Sequence, residues 1–77
     1  MNKPSSHRLD TTGLRCPEPL MLLHKSVRAM AVGEVIEVTA TDPSTTRDVP
    51  KFCHFLGHAL LFQQELAGVF TYRIRKQ

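Results

Sequence analysis

Cys16-Pro17-Glu18-Pro19 is the segment of this chain whose residue types can do chemistry. A cysteine thiolate is a strong nucleophile, and a cysteine reacts more readily where its surroundings favour the ionised form. Two prolines follow Cys16 at the head of an apolar, helix-patterned stretch. Proline is tolerated in a first helical turn, where the N–H groups have no partner inside the helix. With Cys16 as the N-cap, Pro17 falls at the first helical position and Pro19 at the third, and their fixed φ angles stiffen the tip that carries the sulfur. The helix N-terminus and the adjacent Arg15 favour thiolate over thiol. Two features limit the effect. Both prolines lack the N–H that would point at the sulfur, which leaves the Glu18 amide, and the Glu18 carboxylate opposes a nearby anion. The expectation is a moderately activated, solvent-facing thiol. Its rival is a buried cysteine that only caps the helix, and the charged neighbours Arg15 and Glu18 favour the wet site.

Other side chains with chemical potential are weaker candidates. Cys53 falls on an apolar stripe with Phe52 and Leu56, so core packing is the better reading than a resolving thiol. Cys16 and Cys53 lack the spacing of a Cys-x-x-Cys redox pair, and no structural disulfide is expected. His54 and His58 have a four-residue spacing that can bind metal on a helix, yet Gly57 lies between them and no third ligand is evident. Lys25, Arg28, Arg47 and Lys51 read as a solvated face, whereas Arg15 is tied to the thiol by adjacency. Asp42, Thr46, Arg47 and Asp48 either shape a loop near the thiol or cap a second helix, and capping is favoured.

The elements that must position Cys16 follow from periodicity. Residues 1–6 are polar and aperiodic and read as a loose tail, with one domain over residues 7–77. A short strand is expected from Arg8 to Thr11 with Leu9 inward, then a turn at Thr12-Gly13. Leu20, Leu23, Val27 and Met30 recur at helical spacing between Pro17 and Ala31, and Gly33 stops that helix. Val35 to Thr41 alternates, with Ile36, Val38 and Ala40 on one face, as a strand covered on one side does. Val49, Phe52, Cys53 and Leu56 form a second helical face ending at Gly57. Pro50 would cost roughly 3 kcal/mol in a helix interior. A regular helix capped by Asp48, after a loose or 3₁₀ turn through Thr45 to Arg47, avoids that cost. Leu60–Leu66 and Val69–Lys76 read as an antiparallel hairpin turned at Ala67-Gly68, with Phe70, Tyr72 and Ile74 inward. The order β-α-β-α-β-β gives an α/β (α+β) two-layer sandwich in which a right-handed crossover sets the first two strands parallel and both helices on one face.

Seventy-seven residues with 42% apolar content support one small core and leave no room to enclose a large cofactor. Two cysteines, no signal-peptide pattern and no apolar run near 18 residues suggest a soluble protein of the reducing cytoplasm. The net charge of +3 permits contact with nucleic acid or an acidic protein without requiring either.

Leu14-Arg15-Cys16-Pro17-Glu18-Pro19, then Asp42-Pro43-Ser44-Thr45-Thr46-Arg47-Asp48-Val49-Pro50 and Phe52-Cys53, resemble the TusA (SirA) family across about Leu9 to Lys76. The resemblance implies a sulfur carrier with a mixed four-stranded sheet and two helices. It implies that Cys16 accepts sulfane sulfur from a cysteine desulfurase and relays it to a downstream sulfur-relay protein, with thiolation of the tRNA wobble uridine at the end. Arg15, Pro17, Glu18 and Pro19 would support the thiol. Other branches of the family serve sulfur oxidation or molybdenum-cofactor synthesis. Such a carrier needs neither metal nor cofactor, touches tRNA only indirectly, has no membrane partner and works as a monomer. Two other classes fit the residues. In a small RNA-binding module, Arg73, Arg75 and Lys76 would do the work, although the last strand offers no aromatic platform. In an interaction module, the Cys-Pro-Glu-Pro tip would dock a partner and the sulfur would be incidental.

Overall fold

A computed structural model describes residues 6–77. Six elements follow one another: β1 (Ser6–Thr11), α1 (Glu18–Arg28), β2 (Val35–Ala40), α2 (Thr45–Leu56), β3 (Ala59–Leu66) and β4 (Val69–Arg75). The strands form a mixed sheet in the order β1-β2-β4-β3, with β1 parallel to β2 and the other pairs antiparallel. The α+β architecture and element order are those the periodicity predicts. Of the tail expected at residues 1–6, residues 1–5 lie outside the described residues, and Ser6 pairs with Val35 in β1.

The core forms where the helices' apolar stripes meet the inward-facing strand residues. Ile36, Val38 and Ala40 of β2 alternate with half-buried neighbours, as expected of a strand covered on one side. They meet Tyr72 and Ile74 of β4, Leu23 and Val27 of α1 with Met30 just beyond it, and Val49, Phe52 and Cys53 of α2. Removing these side chains from water drives collapse at about 25 cal/mol per Å² of apolar surface. Among the described residues no helix covers the far face of the sheet. There Glu37 lies between Arg8 and Arg73, and the Arg73 guanidinium stacks over Phe62 at 4.6 Å. Phe62 comes from β3, so this face holds one aromatic that the last strand's alternation does not reveal.

Boundaries depart from the sequence expectation at both helices. The first helix starts one residue late: Pro17 is its N-cap at φ −99°, and Pro19 sits at the second helical position. The Glu18 amide donates to the Arg15 carbonyl at 2.8 Å, closing a turn around a cis Cys16–Pro17 peptide. The ladder then opens with Met21 N–H donating to the Pro17 carbonyl at 3.0 Å. The second helix begins at Thr45, with Ser44 rather than Asp48 as N-cap, and Pro50 lies inside it. Its opening is tight, since Thr45, Thr46 and Arg47 all donate three residues back. Pro50 leaves the Thr46 carbonyl, four residues back, without its helical donor, and Thr46 is an exposed residue. Gly57, left-handed at φ 76°, ends α2 as expected. Between Leu60 and Phe62 the β3–β4 register slips by a bulge. The hairpin turn places Ala67 at φ 52° and Gly68 at φ 81°.

Candidate functional site

The site lies where two chain crossings leave the sheet together. Because β1 and β2 are parallel and pair Thr11 with Ala40, the segments that follow them start side by side. Thr11 reinforces this junction by donating its hydroxyl to the Thr39 carbonyl at 2.7 Å, and the Gly13 amide donates to Thr41 Oγ1 at 2.8 Å. The first segment carries Leu14 to Pro19 and the second carries Asp42 to Asp48.

Asp42 joins the two. Its Oδ2 accepts the Cys16 amide at 2.6 Å and its Oδ1 accepts the Ser44 amide at 3.0 Å. These bonds to Ser44 and Cys16, with a smaller contribution from Arg15, hold its carboxyl below the usual carboxylate range. Beneath it runs a buried relay. Thr45 Oγ1 donates to the Asp42 carbonyl at 2.8 Å and lies 2.9 Å from the hydroxyl of fully buried Tyr72. Burial pushes the Tyr72 phenol up, partly offset by its bond to Thr45.

Cys16 is exposed at the head of this frame and Cys53 is buried in the core. Burial pushes the Cys53 thiol up to about 11, so it remains protonated at neutral pH. The Glu18 amide, which sequence reasoning aims at the sulfur, is spent on the Arg15 carbonyl. Instead Cys16 Sγ donates to Asp48 Oδ2 at 3.9 Å, while Asp48 Oδ1 accepts from Arg47 Nε at 3.2 Å. Arg15, Pro17 and Glu18 are exposed around the thiol, and Pro19 is buried beneath it. Two hollows flank the sulfur. One, of about 440 Å³, is open and lined by Gly13, Arg15, Thr41, Asp42 and Ser44. The other, of about 10 Å³, lies between Pro17, Pro19, Leu20, Ser44 and Asp48. Ser44 Oγ is buried, and among the described residues no hydrogen-bond partner meets it. Past Asp48 and Leu20 an apolar groove continues along His24, Lys51, Phe52, Phe55 and Leu56, with Phe55 78% exposed.

Asp42 and Asp48 are the residues that sequence reasoning left as helix caps. The signal that finds them is topological, since a parallel first pair must bring the two post-strand segments together. His54 and His58 do not converge on a metal: Gly57 ends α2 between them, and His58 Nδ1 accepts the Gln77 amide at 3.0 Å. Among the described residues no three His, Cys, Asp or Glu side chains are grouped as metal ligands. No helix among the described residues is long and apolar enough to cross a membrane.

The two-layer α+β scaffold displays one cysteine at the head of its crossover helix and buries the other, which leaves a single thiol open to chemistry at the surface. A family model described as Sulfurtransferase TusA matches residues 7–76. The chain is 67% identical over 69 residues to the sulfur carrier protein TusA of Pseudomonas entomophila (strain L48), a match covering 90% of this chain and 86% of that relative. It is 58% identical over 77 residues to the sulfur carrier protein TusA of Pseudomonas paraeruginosa (strain DSM 24068 / PA7), covering 100% and 98% of the two chains. This chain belongs to the TusA family of sulfur carriers.

Proposed function

We propose that this single-domain carrier takes sulfane sulfur from a cysteine desulfurase as a persulfide on Cys16 and hands it to a downstream sulfur-relay protein. The route ends in 2-thiolation of a tRNA wobble uridine, without direct contact between this protein and the tRNA. The carrying observation is that Cys16 is the exposed cysteine, held at a rigid tip whose backbone is anchored by Asp42. The Cys16 thiolate attacks the outer sulfur of the donor's persulfide, a new S–S bond forms, and the donor cysteine leaves with the electron pair of the broken bond. The proton released from Cys16 balances the one the donor thiolate takes up, so no external oxidant or reductant is consumed. An acceptor thiolate then repeats the exchange on Cys16-S-SH. Arg15, Pro17, Glu18 and Pro19 support the thiol, and the apolar groove beyond Asp48 gives a partner contact area beside it. No cofactor takes part, and the monomer works in the reducing cytoplasm, where the thiol stays free.

The test is intact and peptide mass spectrometry after incubation with a cysteine desulfurase and L-cysteine. The expected result is one labile sulfur on Cys16, absent in Cys16→Ser and retained in Cys53→Ala, followed by transfer to relay proteins. No adduct with several active desulfurases overturns the donor assignment. Delivery only to sulfur-oxidation or molybdenum-cofactor proteins overturns the tRNA route.

A further inference from the structure

We propose that Asp48 is a positioning residue that makes the direction of the Cys16 sulfur depend on its load. The empty thiol is held toward Asp48, and the loaded sulfur is turned away from it into the open hollow lined by Arg15. The inference rests on the reading that Cys16 carries persulfide sulfur.

Three observations carry it. First, the thiol is oriented as a donor to Asp48 Oδ2 at 3.9 Å, and a carboxylate accepts from a neutral S–H but repels a sulfur anion. A hydropersulfide is a stronger acid than its parent thiol, so loading converts the group facing Asp48 from a donor into an anion. Second, the space differs on the two sides. The cavity on the Asp48 side measures about 10 Å³, close to the minimum for one water molecule, and a second sulfur atom does not fit there. The hollow on the other side measures about 440 Å³. Third, the charges differ. The larger hollow is lined by the cation Arg15, and both oxygens of its carboxylate, Asp42, already accept N–H groups. On the opposite side the cation that Asp48 meets among the described residues is Arg47, which is 63% exposed and reaches its far oxygen. Glu18, in the first turn of α1, is exposed to solvent. The empty carrier is thereby kept from indiscriminate alkylation or oxidation, and the loaded sulfur is presented outward.

The test compares wild type, Asp48→Asn and Asp48→Glu, each empty and loaded with inorganic polysulfide, which needs no partner protein. In loading, the Cys16 thiolate attacks a chain sulfur and expels a polysulfide one sulfur shorter, so sulfur and charge balance. The rate of iodoacetamide alkylation at Cys16 is followed by mass spectrometry at pH 7. Cys53, buried in the core, does not interfere. Replacing the carboxylate frees the empty thiol from its donor contact with Asp48 Oδ2, so empty Asp48→Asn reacts about fivefold faster than wild type. The loaded forms agree within about twofold, because the loaded sulfur has left the reach of Asp48. Asp48→Glu restores slow alkylation of the empty form. Equal empty rates in wild type and Asp48→Asn overturn the proposal, as does an equal acceleration of empty and loaded forms. A purely structural role for Asp48 changes both rates together and lowers the melting temperature. Desulfurase that leaves Cys16 unmodified while these rates hold would remove the carrier reading and leave the orientation by Asp48 intact.

Discussion

The relay beneath the site makes a quantitative prediction. Thr45 Oγ1 commits its hydrogen to the Asp42 carbonyl, so the Tyr72 hydroxyl must be the donor in the 2.9 Å contact between them. Tyr72→Phe removes that donor and leaves Thr45 still bonded to Asp42, a loss of about 1 kcal/mol. Thr45→Val keeps the shape but removes the acceptor, so a phenolic O–H is left in the core with no partner. The Asp42 carbonyl keeps only the Thr45 amide at 3.0 Å. An orphaned buried donor adds about 1–2 kcal/mol to the lost bond, so Thr45→Val costs about 2–3 kcal/mol in all. In the double variant nothing is orphaned, and the two changes together cost about 2 kcal/mol, less than their sum by about 1–2 kcal/mol. For a domain of this size each kcal/mol moves the melting temperature by roughly 4–8 °C. The assay is a double-mutant cycle by urea and thermal denaturation. Strict additivity, or a Tyr72→Phe loss larger than that of Thr45→Val, refutes the assigned direction of the relay. Because Thr45 also steadies Asp42, sulfur loading on Cys16 slows more in Thr45→Val than in Tyr72→Phe.

Two further predictions concern the frame. Ala67 occupies the left-handed region at φ 52°, where a Cβ costs about 1–2 kcal/mol, and the unfolded-state entropy of glycine offsets part of that. Ala67→Gly should therefore raise the urea midpoint by about 0.5 kcal/mol equivalent with an unchanged m-value, and a lowered midpoint contradicts the turn geometry. Glu34 Oε1 accepts the Ala31 amide at 2.9 Å and meets His7 Nε2 at 2.8 Å, and these contacts hold its carboxyl below the ordinary 4.5. A depressed carboxyl stabilises the fold above its unfolded value, and the benefit is lost as pH falls through the lower folded value. Urea midpoints measured from pH 6 to pH 2 should show wild type exceeding Glu34→Gln at the top of the range, with the two converging at the bottom. A constant gap would mean that the carboxylate charge is not the source.

Much of the frame was legible in the sequence, because burial on one side of a sheet writes itself as alternation. Ile36, Val38, Ala40, Tyr72 and Ile74 all face the core. The Ala67-Gly68 turn and the exposure of Cys16 with burial of Cys53 were equally readable. What misled was proline, which limits where helices begin without fixing the residue. At position 17 a turn closed by Glu18 and Arg15 moved the start by one residue. At position 50 α2 runs through the proline, whose partner four residues back, Thr46, is an exposed residue. From the sequence Asp42 and Asp48 read either as a loop near the thiol or as helix caps, with caps favoured, for another reason. A residue-by-residue pattern records which face a side chain takes, whereas their meeting with Cys16 depends on which strands are neighbours.

That meeting has a kinetic consequence. Cys16 and Asp42 are 26 residues apart, and their contact exists only once the chain has closed the loop through α1 and laid β2 beside β1 in parallel. Closing such a loop is entropically costly, and nonlocal pairing is the slow part of folding. The Leu14–Pro19 segment, taken as a peptide, holds the cysteine and both prolines but none of the carboxylates that anchor and orient the thiol. The competent site is therefore all-or-none with the fold, and a newly made chain acquires it in the same cooperative event that completes the sheet.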